Sequence, residues 1–149
     1  IEQRFSYAFC QTGYKGAKPQ VSLNPLPDRG AFTIEDLEIE YFSFPHGHML
    51  STGFRLGRFA YLTDFKSFPE ECMKSWTGKI ETMVMSGLRF TTHPSHSHIE
   101  QSTQYLKQLQ VKQGYLTHLT HDIDYHRDSK ELPEGVRFAF DGLSFVVDL

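Results

Sequence analysis

Short apolar runs that each stop on a histidine or an aspartate constrain this chain more than any other feature. The segment YLTHLTHDIDYH, residues 115 to 126, sets His118 and His121 with Asp122 and Asp124 directly behind an apolar start. His46 in FPHGHML closes a second run, Asp64 in FAYLTDF closes a third, and His96 in HPSHSH stands where another gives way to turn chemistry. Polar residues at the carboxyl ends of separate strands can converge on one divalent ion, because neutral imidazole and carboxylate suit zinc, manganese or iron. Any one of these histidines has a plainer reading, since histidines in turns are commonly solvated or bonded to backbone. Their shared position is where ligand-bearing loops on an α/β scaffold lie, and it points to a metallohydrolase.

Composition bounds the class. A chain of 149 residues can make one domain with a core, and 39% hydrophobic with 22% charged residues suits a soluble globule. The net charge of -3 and the lack of a basic run argue against a dedicated nucleic-acid surface, although a small phosphorylated substrate needs none. Cys10 and Cys72 stand apart with no CxxC spacing and read as reduced thiols of a cytoplasmic protein, a disulfide being the alternative. No apolar run reaches membrane-spanning length and no signal peptide opens the chain, so no membrane partner is expected. Ile1 is no initiator residue, and IEQRFSYAF reads as an entry partway through a longer protein.

The element order follows from periodicity and punctuation. Residues 11 to 30, rich in proline and glycine, read as a long loop. Residues 31 to 44 alternate apolar and acidic around Leu37, Ile39 and Tyr41, as a half-buried antiparallel strand with a short partner does. GFRLGRFAYLTD makes two short strands about Gly57 and Arg58. Ser67 with Glu70, and Ser97 with Glu100, have capping-box spacing; the first opens a short helix through Lys74 or Trp76, the second a helix over 98 to 110 with Ile99, Thr103, Leu106 and Leu109 on one stripe. IETMVMSG and GYLTH are strands, and RFAFDGLSFVV reads as a hairpin about Asp141-Gly142.

In this order, HGHMLSTGFR, YLTD, the arginine of SGLRF, HPSH before a helix, YLTHLTHD and FAFDGL resemble the second half of the metallo-β-lactamase superfamily, in the branch of the phosphoribosyl cyclic phosphodiesterase. The resemblance runs through nearly the whole chain. It implies an α/β fold, half of an αββα sandwich: a mixed sheet with helices on its outer face. It also implies two divalent metal ions, zinc or manganese, bridged by a hydroxide and an aspartate. On that pattern His46, Asp64 and His118 resemble metal ligands, with Asp64 the bridging carboxylate. His96 resembles the histidine that positions or protonates the leaving group. Arg89 and His93 fall where substrate would be met, Arg89 having a salt bridge as its alternative. His121 matches a structural-zinc position in that relative; the cysteines that would complete such a site are not here, so His121, with Asp122, is expected to stand behind the ligands.

The superfamily's HxHxDH motif is not present in these 149 residues. The expectation is therefore that residues 1 to 149 form the carboxy-terminal half of a single metallo-β-lactamase-like domain, with the missing amino-terminal half as its partner and a homodimer as another way to cover an open sheet face. The intact protein would be a metal-dependent phosphodiesterase-like hydrolase, and this chain alone inactive. The competing readings are a non-catalytic binding or regulatory fragment, and an ester or thioester hydrolase on the same scaffold.

Overall fold

The computed structural model describes residues 1–9 and 19–147. Its centre is a seven-stranded sheet in the order β1 (Arg29–Ile34), β2 (Leu37–His46), β3 (Met49–Leu56), β4 (Phe59–Leu62), β5 (Thr82–Ser86), β6 (Gln113–Thr117) and β7 (Val136–Phe138). Tight turns join β1 to β4, so those pairs are antiparallel. Beyond β4 each connection carries a helix: α2 (Glu70–Trp76), α3 (Ile99–Gln108), then α4 (Tyr125–Asp128). A crossover of that length permits parallel pairing, and β4 to β7 are parallel. A four-residue helix α1 (Ser6–Phe9) precedes the sheet.

Direction follows from this pairing. Two antiparallel steps separate β2 from β4, so β2 runs the same way as β4, β5 and β6. Their carboxyl ends share one edge, and that edge receives His46, Asp64, the loop holding His93 and His96, and His118.

The side-chain alternation of the strands sorts residues between two faces. Phe42, Phe44, Ala60, Leu62, Met83, Met85, Leu116 and Phe138 face α2 and α3 and form the buried core with Trp76, Ile99, Leu106 and Leu109. Phe44 sits among three rings, 6.1 Å from Phe65, 5.0 Å from Phe68 and 6.0 Å from Trp76. Gly53 makes this possible: a Cβ there would come within 2.7 Å of Phe44 Cε2. The opposite face carries Ile39, Phe54, Leu56, Phe59, Tyr61 and Val84, where Tyr61 is 44% exposed. Phe145 stacks on Tyr115 across part of this face at 4.8 Å.

Several expectations change. Neither capping box forms. Pro69 takes the N-cap of α2 with φ -61 and no side-chain bond, which leaves Ser67 too early to cap. His98 stands at the N-cap of α3 without a side-chain bond, and Ser97 is buried with its hydroxyl turned inward to Ser102 Oγ at 2.8 Å. The hairpin at Asp141-Gly142 is also corrected. The turn is there, with Gly142 at φ +90 and Leu143 N–H donating to Phe140 O at 3.0 Å, yet residues 143 to 147 form no strand. Stacking of Phe145 on Tyr115 draws that segment across the sheet rather than along β7. The long loop ends two residues early, where β1 begins at Arg29; its residues 11 to 18, and Cys10 before them, lie outside the described residues. Cys72 is a buried free thiol whose pKa burial pushes far up, which makes it inert packing. Among the described residues no helix is long and apolar enough to cross a membrane.

Candidate metal centre

Asp64 is the hub of the carboxyl edge. It follows β4 by two residues and adopts φ +57, a left-handed conformation uncommon outside glycine but less so for aspartate. Ser86 at the end of β5 holds it there, its Oγ accepting from Asp64 N–H at 2.9 Å. His118, one residue past β6, is also left-handed at φ +59. Two such residues at one sheet edge fit the pattern of backbone strain concentrated at functional sites.

Three imidazoles meet this carboxylate. His118 Nε2 lies 3.2 Å and His96 Nδ1 3.7 Å from Asp64 Oδ1. Ligand atoms of His46, Asp64 and His96 all lie within 4.8 Å of one another. The His96 ring stands 4.5 Å from that of His46 and stacks 5.0 Å from that of His118. His46, Asp64 and His118 thus stand in one cluster, and His96 stands in its middle. Its geometry opens to it a ligand's place as well as a proton donor's.

Hydrogen bonding sets the state of these rings. His46 Nδ1 meets the carbonyl of Ser95 at 3.0 Å, and since a carbonyl only accepts, Nδ1 carries the proton and Nε2 is the nitrogen left to face a metal. His96 Nδ1 is buried with no hydrogen-bond partner. Burial lowers the His96 pKa, and His46, His118 and His93 add to this against the pull of Asp64. A neutral imidazole is the form that ligates a metal. Among the described residues no lysine or arginine pairs with Asp64, so its charge is met only by imidazoles. A divalent cation fits this donor set: a carboxylate with no basic partner, imidazoles and a buried nitrogen without a partner.

The remaining expected residues divide. The His93 ring lies 4.9 Å from His96, and its Nδ1 accepts from Ser95 N–H at 3.3 Å. Arg89 donates to Thr92 O within its own loop at 3.1 Å and has a buried Nε with no partner. His121 and Asp122 pair with each other at 3.4 Å at the surface, with His121 96% exposed, so they do not back the ligands here. Sequence reasoning missed Ser86 and Lys66. A lone serine at a strand end and a lone lysine in a loop carry no motif.

Comparison with known proteins sets this edge in context. An octanoyltransferase of Porphyromonas gingivalis is 31% identical over an alignment 153 residues long that covers 99% of this chain and 30% of that protein. A diphosphatase from the PhnP family superposes with a TM-score of 0.84 at 28% identity, over 99% of this chain and 54% of its own. The metallo-β-lactamase fold protein YhfI of Bacillus subtilis shares the fold at 16% identity, with a TM-score of 0.62 over 95% of this chain and 60% of its own. The chain spans 30% of the curated relative and 54% of the diphosphatase. The profile of the family described as the beta-lactamase superfamily domain matches residues 1–119, and the chain belongs to the metallo-β-lactamase superfamily.

Proposed function

We propose that the intact protein is a metal-dependent hydrolase of small phosphorylated substrates, phosphodiesters first. The observation that carries this is the convergence of His46, Asp64, His96 and His118 on one sheet edge, in a chain 28% identical to a PhnP-family diphosphatase. His46, Asp64 and His118 hold divalent ions, two in the complete site, with zinc or manganese the fitting choices. Bound there, the ions supply Lewis acidity toward a phosphoryl oxygen and lower the pKa of water. The rest falls to the chain. Ser86 keeps Asp64 aimed at the cluster. His96 carries a proton to the leaving oxygen; an arriving phosphate, being anionic, favours the imidazolium that burial disfavours. His93 lines the approach, and Arg89 offers its guanidinium to phosphate.

The exposed apolar face is the surface that the amino-terminal half covers, consistent with a chain that spans 54% of the solved diphosphatase. That half would bring the HxHxDH ligands. A second reading, hydrolysis of an ester or thioester, is favoured by the octanoyltransferase relative. A panel of cyclic nucleotides, aryl phosphodiesters and acyl thioesters, run on the metal-loaded intact protein, decides between them. Turnover of the phosphodiesters alone supports the first reading, turnover of the thioesters alone the second.

A further inference from the structure

Lys66 stands two residues beyond Asp64, half-buried, with its donors turned into the site's scaffold. Its ammonium donates to the carbonyls of His93 at 2.7 Å and His96 at 3.3 Å. Its backbone N–H donates to the carbonyl of Pro45 at 2.6 Å, one residue before His46. One residue therefore joins the end of β2, the end of β4 and the 93–96 loop. Among the described residues no carboxylate pairs with this ammonium, so it acts on backbone placement rather than by neutralising an acid.

The fold has other means of anchoring the flanks of that loop. Leu88 N–H donates to Ser97 O at 3.1 Å, Ile99 N–H to Arg89 O at 2.9 Å, and Ser97 N–H to Phe65 O at 2.6 Å. Without the ammonium the loop stays attached at both ends, while the carbonyls of His93 and His96 lose their tether and the bond of His46 to Ser95 O remains. Those residues include His96, Ser95, whose carbonyl orients His46 at 3.0 Å, and His93.

We propose that Lys66 is a positioning residue of the metal centre: its ammonium holds the 93–96 loop so that Ser95 O keeps His46 turned toward Asp64 for one ion and His96 stays beside them. The proposal rests on the metal reading above. Its test is titration of the metal-free intact protein with Zn2+, followed by calorimetry, for Lys66→Met, Lys66→Arg and Asp64→Ala beside the parent. Lys66→Met keeps the apolar stem and removes the donors. It is expected to weaken Zn2+ binding by roughly 10- to 100-fold, the range for groups that orient metal ligands, with the metal-free melting midpoint close to the parent's. Lys66→Arg, which restores N–H donors, is expected to recover most of the affinity. Parent-like binding by Lys66→Met, while Asp64→Ala loses Zn2+, overturns the positioning role and leaves the metal reading standing. Parent-like binding by Asp64→Ala overturns the metal reading and the Lys66 proposal with it. A Lys66→Met protein that is unfolded before metal is added, or equal weakening in the Met and Arg variants, assigns Lys66 to the fold and overturns the proposal.

Discussion

Two polar clusters lie on either side of residue 120, and they treat their charges in opposite ways. Around Asp128 the carboxylate takes its hydrogen bonds from within the cluster. The carboxylate accepts from Arg127 Nε at 2.6 Å, from Arg127 Nη2 at 2.8 Å and from Asp124 N–H at 2.8 Å, while Asp124 caps α4 by accepting from Arg127 N–H at 2.8 Å. Around Asp64 the carboxylate meets only imidazoles, and a buried nitrogen of His96 has no partner. A polar cluster complete in itself fixes local structure. One left open at a sheet edge, on strained backbone, is arranged for something else to complete it.

The sharpest way to break this contrast is Asp64→Ala in the intact protein. Hydrolysis is expected to vanish and elemental analysis to show metal lost, with the melting curve of the metal-free protein little changed. Full metal content in that variant would remove Asp64 from the centre.

His96→Ala comes next in size. If His96 protonates the leaving oxygen, turnover should fall by about 100-fold or more on a poor leaving group and far less on an activated aryl ester, with metal retained. Equal losses on both substrates would mean positioning, and metal loss would make His96 a ligand.

Ser86→Ala tests the support beneath the open cluster. It strands the Asp64 N–H and leaves Ser86 Oγ unreplaced, at an expected cost of about 1–3 kcal/mol in denaturant unfolding. Metal affinity should fall too, because the left-handed turn at Asp64 loses its anchor.

The smallest effect is expected at the closed cluster. Hydrogen bonding from Arg127 holds the Asp128 carboxyl below its ordinary value of 3.8. A carboxyl lowered in the folded state contributes stability that is complete above the unfolded value and lost as pH falls through the lower, folded one. Asp128→Asn should therefore lower the melting midpoint modestly at neutral pH and flatten the loss of stability with acid below about 3.8, leaving metal binding untouched. A drop in metal content would show that the two clusters are coupled.

The adjacency of His46, Asp64 and His118 was legible because it depends only on strand direction and strand ends. Short turns make β2 run with β4, helical crossovers make β5 and β6 do the same, and the residues that close those runs meet at one edge. What depends on side-chain competition was not legible. Ser97 has the spacing of a cap yet bonds to Ser102, which in turn donates to Ser86 O at 2.6 Å. Asp141-Gly142 has the chemistry of a hairpin turn, but a ring stacked on Tyr115 redirects the chain after it. Lys66 and Ser86 act through backbone partners distant in sequence, and no local pattern marks them. His121 shows the reverse: a histidine in a strong motif context that the structure leaves facing solvent.

Anomalous X-ray scattering from crystals of the metal-loaded intact protein shows directly whether the open cluster is a metal centre. A peak is expected about 2.0–2.2 Å from an Asp64 carboxylate oxygen and from ring nitrogens of the surrounding histidines, the distances of carboxylate and imidazole ligation. A metal-loaded, active protein whose only anomalous peak lies away from Asp64 would contradict it.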